Sequence, residues 1–191
     1  MTTDTTRTRR PFTMAEGVAV LSRTPATLDA MLRGLPDGWL TANEGPDTWS
    51  PFDIVGHLIY GEETDWVPRA KIILGHGEAK AFDPFDRFAQ FARSKGRTLP
   101  SLLDEFAKAR KHNLHELDAL RITEADLERR GTHPELGTVT LRQLLAAWVA
   151  HDLLHLRQLA GTLARLWADR WAAINVGYAG PIPYEREARE P

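Results

Sequence analysis

His151 and His155 stand four residues apart in His151-Asp152-Leu153-Leu154-His155. That spacing puts both imidazoles on one side of a helix, one turn above the other. Steps of three and four through Leu141, Leu144, Trp148, His151, His155, Leu159 and Leu163 place the pair on an apolar stripe, not on a polar surface. Buried neutral imidazoles need partners for their ring nitrogens, and one divalent cation satisfies both rings at once. The chemistry indicated is metal binding, with a further ligand expected from elsewhere in the chain. The same five residues lie one substitution from the H-E-x-x-H of zinc proteases. Against a protease, Asp152 is one methylene shorter than the glutamate base, and no histidine follows His155.

Of the other histidines, His57 falls in the interior pattern of a second helix, among Ile54, Leu58 and Gly61. Alone it reads better as a core histidine donating to a carbonyl. Beside the pair it becomes the candidate third ligand, and Gly61, one turn on, leaves room for an ion. His76, His112, His115 and His133 fall in loops or on the less apolar side of a helix and read as solvated.

Four helices must position these side chains. The first spans Phe12 to Leu35, with Pro25 giving either a kink or a fresh start near Thr24. Trp39 to Trp49 reads as loop. The second helix starts at Ser50, with Pro51 in its first turn and Asp53 closing a capping box; a bend is expected at Pro68, and the pattern ends at Leu74-Gly75. Gly75 to Gly96 is a long crossover, in which a short helix from Pro84 to Arg93 would bury Phe82, Phe85, Phe88 and Phe91. The third helix covers about Pro100 to Leu120, with Leu102, Leu103, Phe106, Ala109, Leu114, Leu117 and Leu120 inward. Thr123 to Asp126 is one capped turn, and Gly131 to Val139 a loop. Thr140 and Gln143 cap a fourth helix of ~40 Å. No segment alternates with period two, so no sheet is expected. The fold class is all-α: a four-helix bundle with a long crossover between helices two and three.

Several pieces of this chain resemble the DinB-like (YfiT-type) superfamily of metal-binding four-helix bundles. They are Thr48-Trp49-Ser50-Pro51 leading to His57-Leu58 and Glu62, and His133-Pro134 leading through Gly137-Thr138-Val139-Thr140-Leu141 to His151-Asp152-x-x-His155-x-x-Gln158. Gly180-Pro181 and Tyr184 match the family's ending more weakly. The resemblance covers most of the chain in order, and places the family's three metal-binding histidines on His57, His151 and His155. Tyr60 is a departure, standing where many members carry an acidic or polar residue. The resemblance implies one divalent ion, zinc first, with nickel, iron or manganese as alternatives; imidazoles suit copper as well. It also implies thiol S-transferase activity with a low-molecular-weight bacterial thiol, or metal-dependent hydrolysis with an activated water, and a homodimer. Asp152 and Gln158 are candidates to orient an imidazole N–H. A third class remains open: a non-catalytic metal- or ligand-binding dimerisation module, with Trp66, Trp148 and Trp167 lining a pocket or an interface.

Composition narrows the alternatives. A chain of 191 residues with 42% hydrophobic and 26% charged residues is the size and make-up of one globular domain. Residues 1–11 are expected to be a disordered tail, 12–184 the domain, and 185–191 a charged tail. The net charge of −2 offers no footprint for nucleic acid or an anionic membrane, and no apolar run approaches the ~20 residues of a span. A cytoplasmic location is expected, with a small molecule as partner. The absence of cysteine removes disulfides, thiolate ligands and any protein thiol nucleophile. A thiol in the chemistry must come from outside.

Overall fold

The computed structural model describes residues 11–171. The expected tails, apart from residue 11, and the Gly180-Pro181 and Tyr184 similarity lie outside the described residues. The first limb consists of α1 (Met14–Leu21) and α2 (Thr24–Leu32), and Pro25 sits in the first turn of the fresh start. A short turn, α3 (Asp37–Leu40), overlaps the start of the segment Trp39 to Trp49 expected to be loop.

The second limb is α4 (Pro51–Thr64) followed by α5 (Trp66–His76). Ser50 caps α4 as the sequence predicts. Its hydroxyl accepts from the Asp53 backbone at 3.2 Å, and the Asp53 carboxylate accepts from the Ser50 N–H at 2.9 Å. The bend expected at Pro68 falls earlier, at Asp65. A proline ring clashes with the carbonyl four residues before it and offers it no N–H. Here that carbonyl belongs to Thr64, the last residue of α4. Pro68 then occupies the first turn of α5, where prolines are tolerated.

Between the second limb and the third come a 3-10 turn at Gly77–Ala79 and α6 (Ala89–Ser94). Helix α6 starts five residues later than predicted. Phe82 is buried, but Phe88 and Phe91 are 64% and 42% exposed. The reason is which face α6 turns inward. Gln90 and Ser94 lie against α4 at Gly56, where a Cβ would come within 2.5 Å of the Ser94 hydroxyl, so the two rings face out and stack on each other.

The third limb is α7 (Leu99–Ala119), followed by the single capped turn α8 (Glu124–Leu127). The segment Gly131 to Val139, expected to be loop, is largely a hairpin. Strand β1 (Arg130–His133) pairs antiparallel with β2 (Gly137–Thr140), from Arg130 opposite Thr140 to His133 opposite Gly137. Four-residue strands are too short to show a period-two pattern; the β-branched Thr132, Thr138, Val139 and Thr140 were the available signal. The hairpin leads straight into α9 (Leu141–Trp171), whose first residue donates to the Arg129 carbonyl at 2.9 Å. Thr140 and Gln143 exchange the two capping hydrogen bonds at 2.8 and 3.2 Å. Its 31 residues make α9 about 46 Å long. The architecture is a mostly helical bundle carrying one small hairpin.

The core divides into two apolar clusters. One gathers Leu21, Trp66, Leu117 and Trp148; the other gathers Leu28, Ile59, Phe106 and Leu159. Every limb crosses from one cluster to the other through buried polar residues: Thr24 on α2, Glu62 on α4, Arg110 and Asn113 on α7, Asp152 on α9. A polar layer therefore cuts across the bundle at the level where His57 and His151 stand.

Candidate metal centre

Two elements supply the three histidines, α4 giving His57 and α9 giving His151 and His155. The Nε2 atoms of His57 and His151 lie 2.9 Å apart, and those of His151 and His155 lie 3.2 Å apart. All three ligand atoms fall within 4.8 Å of one another. Tetrahedral zinc with Zn–N bonds of about 2.0–2.1 Å holds its nitrogens roughly 3.3 Å apart, close to the two Nε2 spacings of 2.9 and 3.2 Å. His57 is buried, and His151 and His155 are half-buried.

Burial sets their protonation. It lowers the imidazole of His57 to about 3, assisted by the positive charge of a protonated His155 and by Arg87. It lowers His151 to about 2, assisted by His155, His57 and Arg110. His155 is also lowered by burial, against the raising effects of Gln158 and Asp152. At neutral pH all three rings are neutral and keep a lone pair for a cation. Gln158 orients one of these lone pairs. Its Oε1 lies 2.9 Å from His155 Nδ1, which assigns the proton to Nδ1 and turns the Nε2 lone pair inward. Among the described residues the Nδ1 atoms of His57 and His151 meet no partner, whereas that of His155 has Gln158. The donor set fits a divalent ion: three imidazoles converge, and among the described residues no fourth side chain joins them.

Aromatic rings enclose the group. Trp49 lies 4.7 Å from His57 and runs nearly parallel to His155 at 6.3 Å, centroid to centroid. Phe85 meets His57 edge-on at 5.4 Å. Trp66 meets His151 at 5.1 Å and stacks on Trp148 at 5.9 Å. Trp66 also takes the space that the sequence assigns to an ion beside Gly61, for its Nε1 would stand 3.3 Å from a Cβ there. Trp66 and Trp148 are buried, and neither lies on an outer surface; Trp167 is 48% exposed and packs against Trp39.

Asp152 takes a different place from the expected one. Its oxygens lie 2.6 and 3.0 Å from Arg110 and 2.5 Å from the Thr24 hydroxyl, and among the described residues it bonds no imidazole. Successive helix residues differ by about 100° in direction, so Asp152 faces α2 and α7 while His151 faces α4. Arg110 also reaches Glu62 Oε1 at 2.7 and 3.1 Å and the Leu21 carbonyl at 2.8 Å. Glu62 further accepts from Trp148 Nε1 at 3.1 Å and from Asn113 at 3.0 Å. Sequence reasoning missed Arg110, Asn113 and Thr24. The signal was present on α7, where the inner stripe Phe106, Arg110, Asn113, Leu117 lapses into polarity for one turn.

The remaining histidines stay apart from the group. His76, His112 and His115 are exposed, as expected. His133, expected to be solvated, is half-buried. Its Nδ1 accepts from the backbone N–H groups of Glu135 and Leu136 at 3.1 and 3.2 Å, closing the hairpin turn.

Known structures share this arrangement of helices. YfiT from Bacillus subtilis, described as a probable metal-dependent hydrolase with an unusual four-helix bundle topology, superposes with a TM-score of 0.68 at 20% identity over 83% of this chain and 91% of its own. TT2238, a four-helix bundle protein, gives 0.53 at 21% identity over 78% and 99%. The DinB-like protein YjoA from Bacillus subtilis gives 0.51 at 16% identity over 79% and 92%. No curated protein matches the sequence. The family model of the DinB superfamily matches residues 21–159, a span that runs from the end of α1 through all three histidines. The chain belongs to the DinB superfamily.

Proposed function

We propose that this protein is a divalent-metal-dependent enzyme that joins a low-molecular-weight thiol to an electrophilic small molecule. The observation that carries the proposal is the convergence of three neutral imidazole nitrogens, with two Nε2-to-Nε2 spacings of 2.9 and 3.2 Å. Zinc is the ion we propose, and when bound it would supply Lewis acidity that favours the ionised form of a small nucleophile at neutral pH. The chain's own residues do the rest. His57, His151 and His155 hold the ion, and Gln158 keeps the His155 proton on Nδ1. Trp49 and Phe85 wall the site, limiting water and offering flat apolar surface to a substrate. With no cysteine in the chain, the thiol arrives as a substrate.

Hydrolysis, with water in place of the thiol, is the second reading. It is favoured by the likeness to YfiT, described as a probable metal-dependent hydrolase. A conjugation assay separates the two. Zinc-loaded protein is incubated with a panel of small bacterial thiols and a haloarene, and the thioether is measured. The transfer reading expects product that requires both metal and thiol. Turnover of an electrophile or an ester that requires metal but is indifferent to thiol supports hydrolysis and sinks transfer.

A further inference from the structure

We propose that Arg110, Glu62 and Asp152 form a buried anionic clamp that positions the metal-binding histidines and supplies part of the ion's counter-charge. The proposal rests on the metal reading above. Its first support is placement. Arg110 projects from α7, which carries no ligand, and bonds Glu62 on α4 and Asp152 on α9. Those are the two helices that carry all three histidines. Glu62 follows His57 by little more than one turn, and Asp152 is the neighbour of His151. One guanidinium thus fixes the spacing and rotation of both ligand-bearing helices at the level of the ligands.

The second support is charge. Arg110, Glu62 and Asp152 are 1%, 2% and 0% exposed. One cation against two carboxylates leaves a surplus negative charge in the middle of the bundle. Buried ion networks add little to stability compared with apolar packing of the same shape, and a net charge in a medium of low dielectric is costlier still. Each carboxylate oxygen has a donor: Trp148 and Thr24 donate to oxygens that Arg110 also bonds, and Asn113 donates to the other Glu62 oxygen. Hydrogen bonds leave the surplus charge in place, whereas a divalent cation held by three neutral imidazoles on the same two helices would offset it across the low-dielectric interior. Trp148, which donates to Glu62, stacks on Trp66, and Trp66 meets His151, so buried indole rings flank both groups and keep the surroundings apolar.

The test is affinity for cobalt, read from its visible absorption in competition with a chelator, on full-length protein. Glu62→Gln and Asp152→Asn keep side-chain shape and remove one negative charge each. Each is expected to bind one equivalent of Co2+ about tenfold more weakly or worse, with helical content by circular dichroism unchanged. Glu63→Gln, at the exposed neighbour that pairs with Arg93, is expected to stay within twofold of the parent. Thr24→Val leaves every charge in place and loses the hydroxyl bonded to Asp152; it is expected to cost two- to threefold, and it decides the matter if the other two variants fail to fold. Folded variants that bind cobalt as tightly as the parent overturn the clamp alone. A parent protein that binds no cobalt overturns the metal reading, and the clamp with it.

Discussion

His57 Nε2 and His151 Nε2 lie 2.9 Å apart, although 94 residues separate them in the chain. Two neutral rings brought this close, with His155 at 3.2 Å from the second, form a preassembled set of lone pairs on two helices. What holds them is not the histidines themselves but the apolar clusters on either side and the Arg110 layer between them.

Removing a ligand should therefore abolish binding, not the fold. His151→Ala and His57→Ala are each expected to lose stoichiometric metal, measured by equilibrium dialysis. His112→Ala, at an exposed position on α7, is expected to bind as the parent does. Loss of metal in the His112 variant as well would mean that binding is adventitious.

Acid should weaken the metal-free protein. The folded-state values of His57 and His151, about 3 and about 2, lie below their ordinary 6.5. As pH falls below about 6.5 the unfolded chain takes up protons that the folded protein refuses, so stability present above that pH is lost progressively toward pH 3. Asp65 works the other way: burial raises it to about 6 against the pull of Arg69, so its stabilising effect is present below its ordinary 3.8 and disappears as pH rises through 6. Two histidines outweigh one carboxylate. Urea melts at pH 7.5 and 5 are expected to show the lower stability at pH 5, and zinc should protect at the higher pH and less at the lower, because protons compete for the ligands. Equal midpoints at the two pH values would contradict this.

Much of this was legible beforehand, because the signals were local. Ser50, Pro51 and Asp53 announce the start of α4, and Thr140 and Gln143 the start of α9, through side chains that bond within one turn. The histidine stripe on α9 shows at helical spacing. What escaped were contacts between elements. Asp152 reads from its neighbours as a residue orienting an imidazole, and only the position of α7 reveals that Arg110 claims it. Likewise the outward turn of Phe88 and Phe91 depends on Gly56 admitting Ser94, a fit between two helices that no periodicity encodes.

Breaking the polar layer outright should be severe. Arg110→Met leaves Glu62 and Asp152 buried without their cation, and removing one partner of a buried ion network costs about 3–5 kcal/mol. Chemical denaturation is expected to show a loss of that size. A loss below about 1 kcal/mol would show that water reaches the layer and solvates the carboxylates.

The cap on α4 should matter less. Ser50→Ala removes the hydroxyl that accepts from Asp53 N–H, at a cost of about 1 kcal/mol. Because the cap lies two turns before His57, metal stoichiometry is expected to remain that of the parent while the denaturation midpoint falls. Loss of metal along with the cap would place the cap, and not the clamp, in control of His57.

The most direct test of the account is the metal content of the purified, unchelated protein by elemental analysis. One equivalent of a divalent ion per chain, lost with His151→Ala, is the predicted result. Protein that holds no stoichiometric divalent metal, and whose stability and spectrum do not change when zinc or cobalt is added, would contradict it.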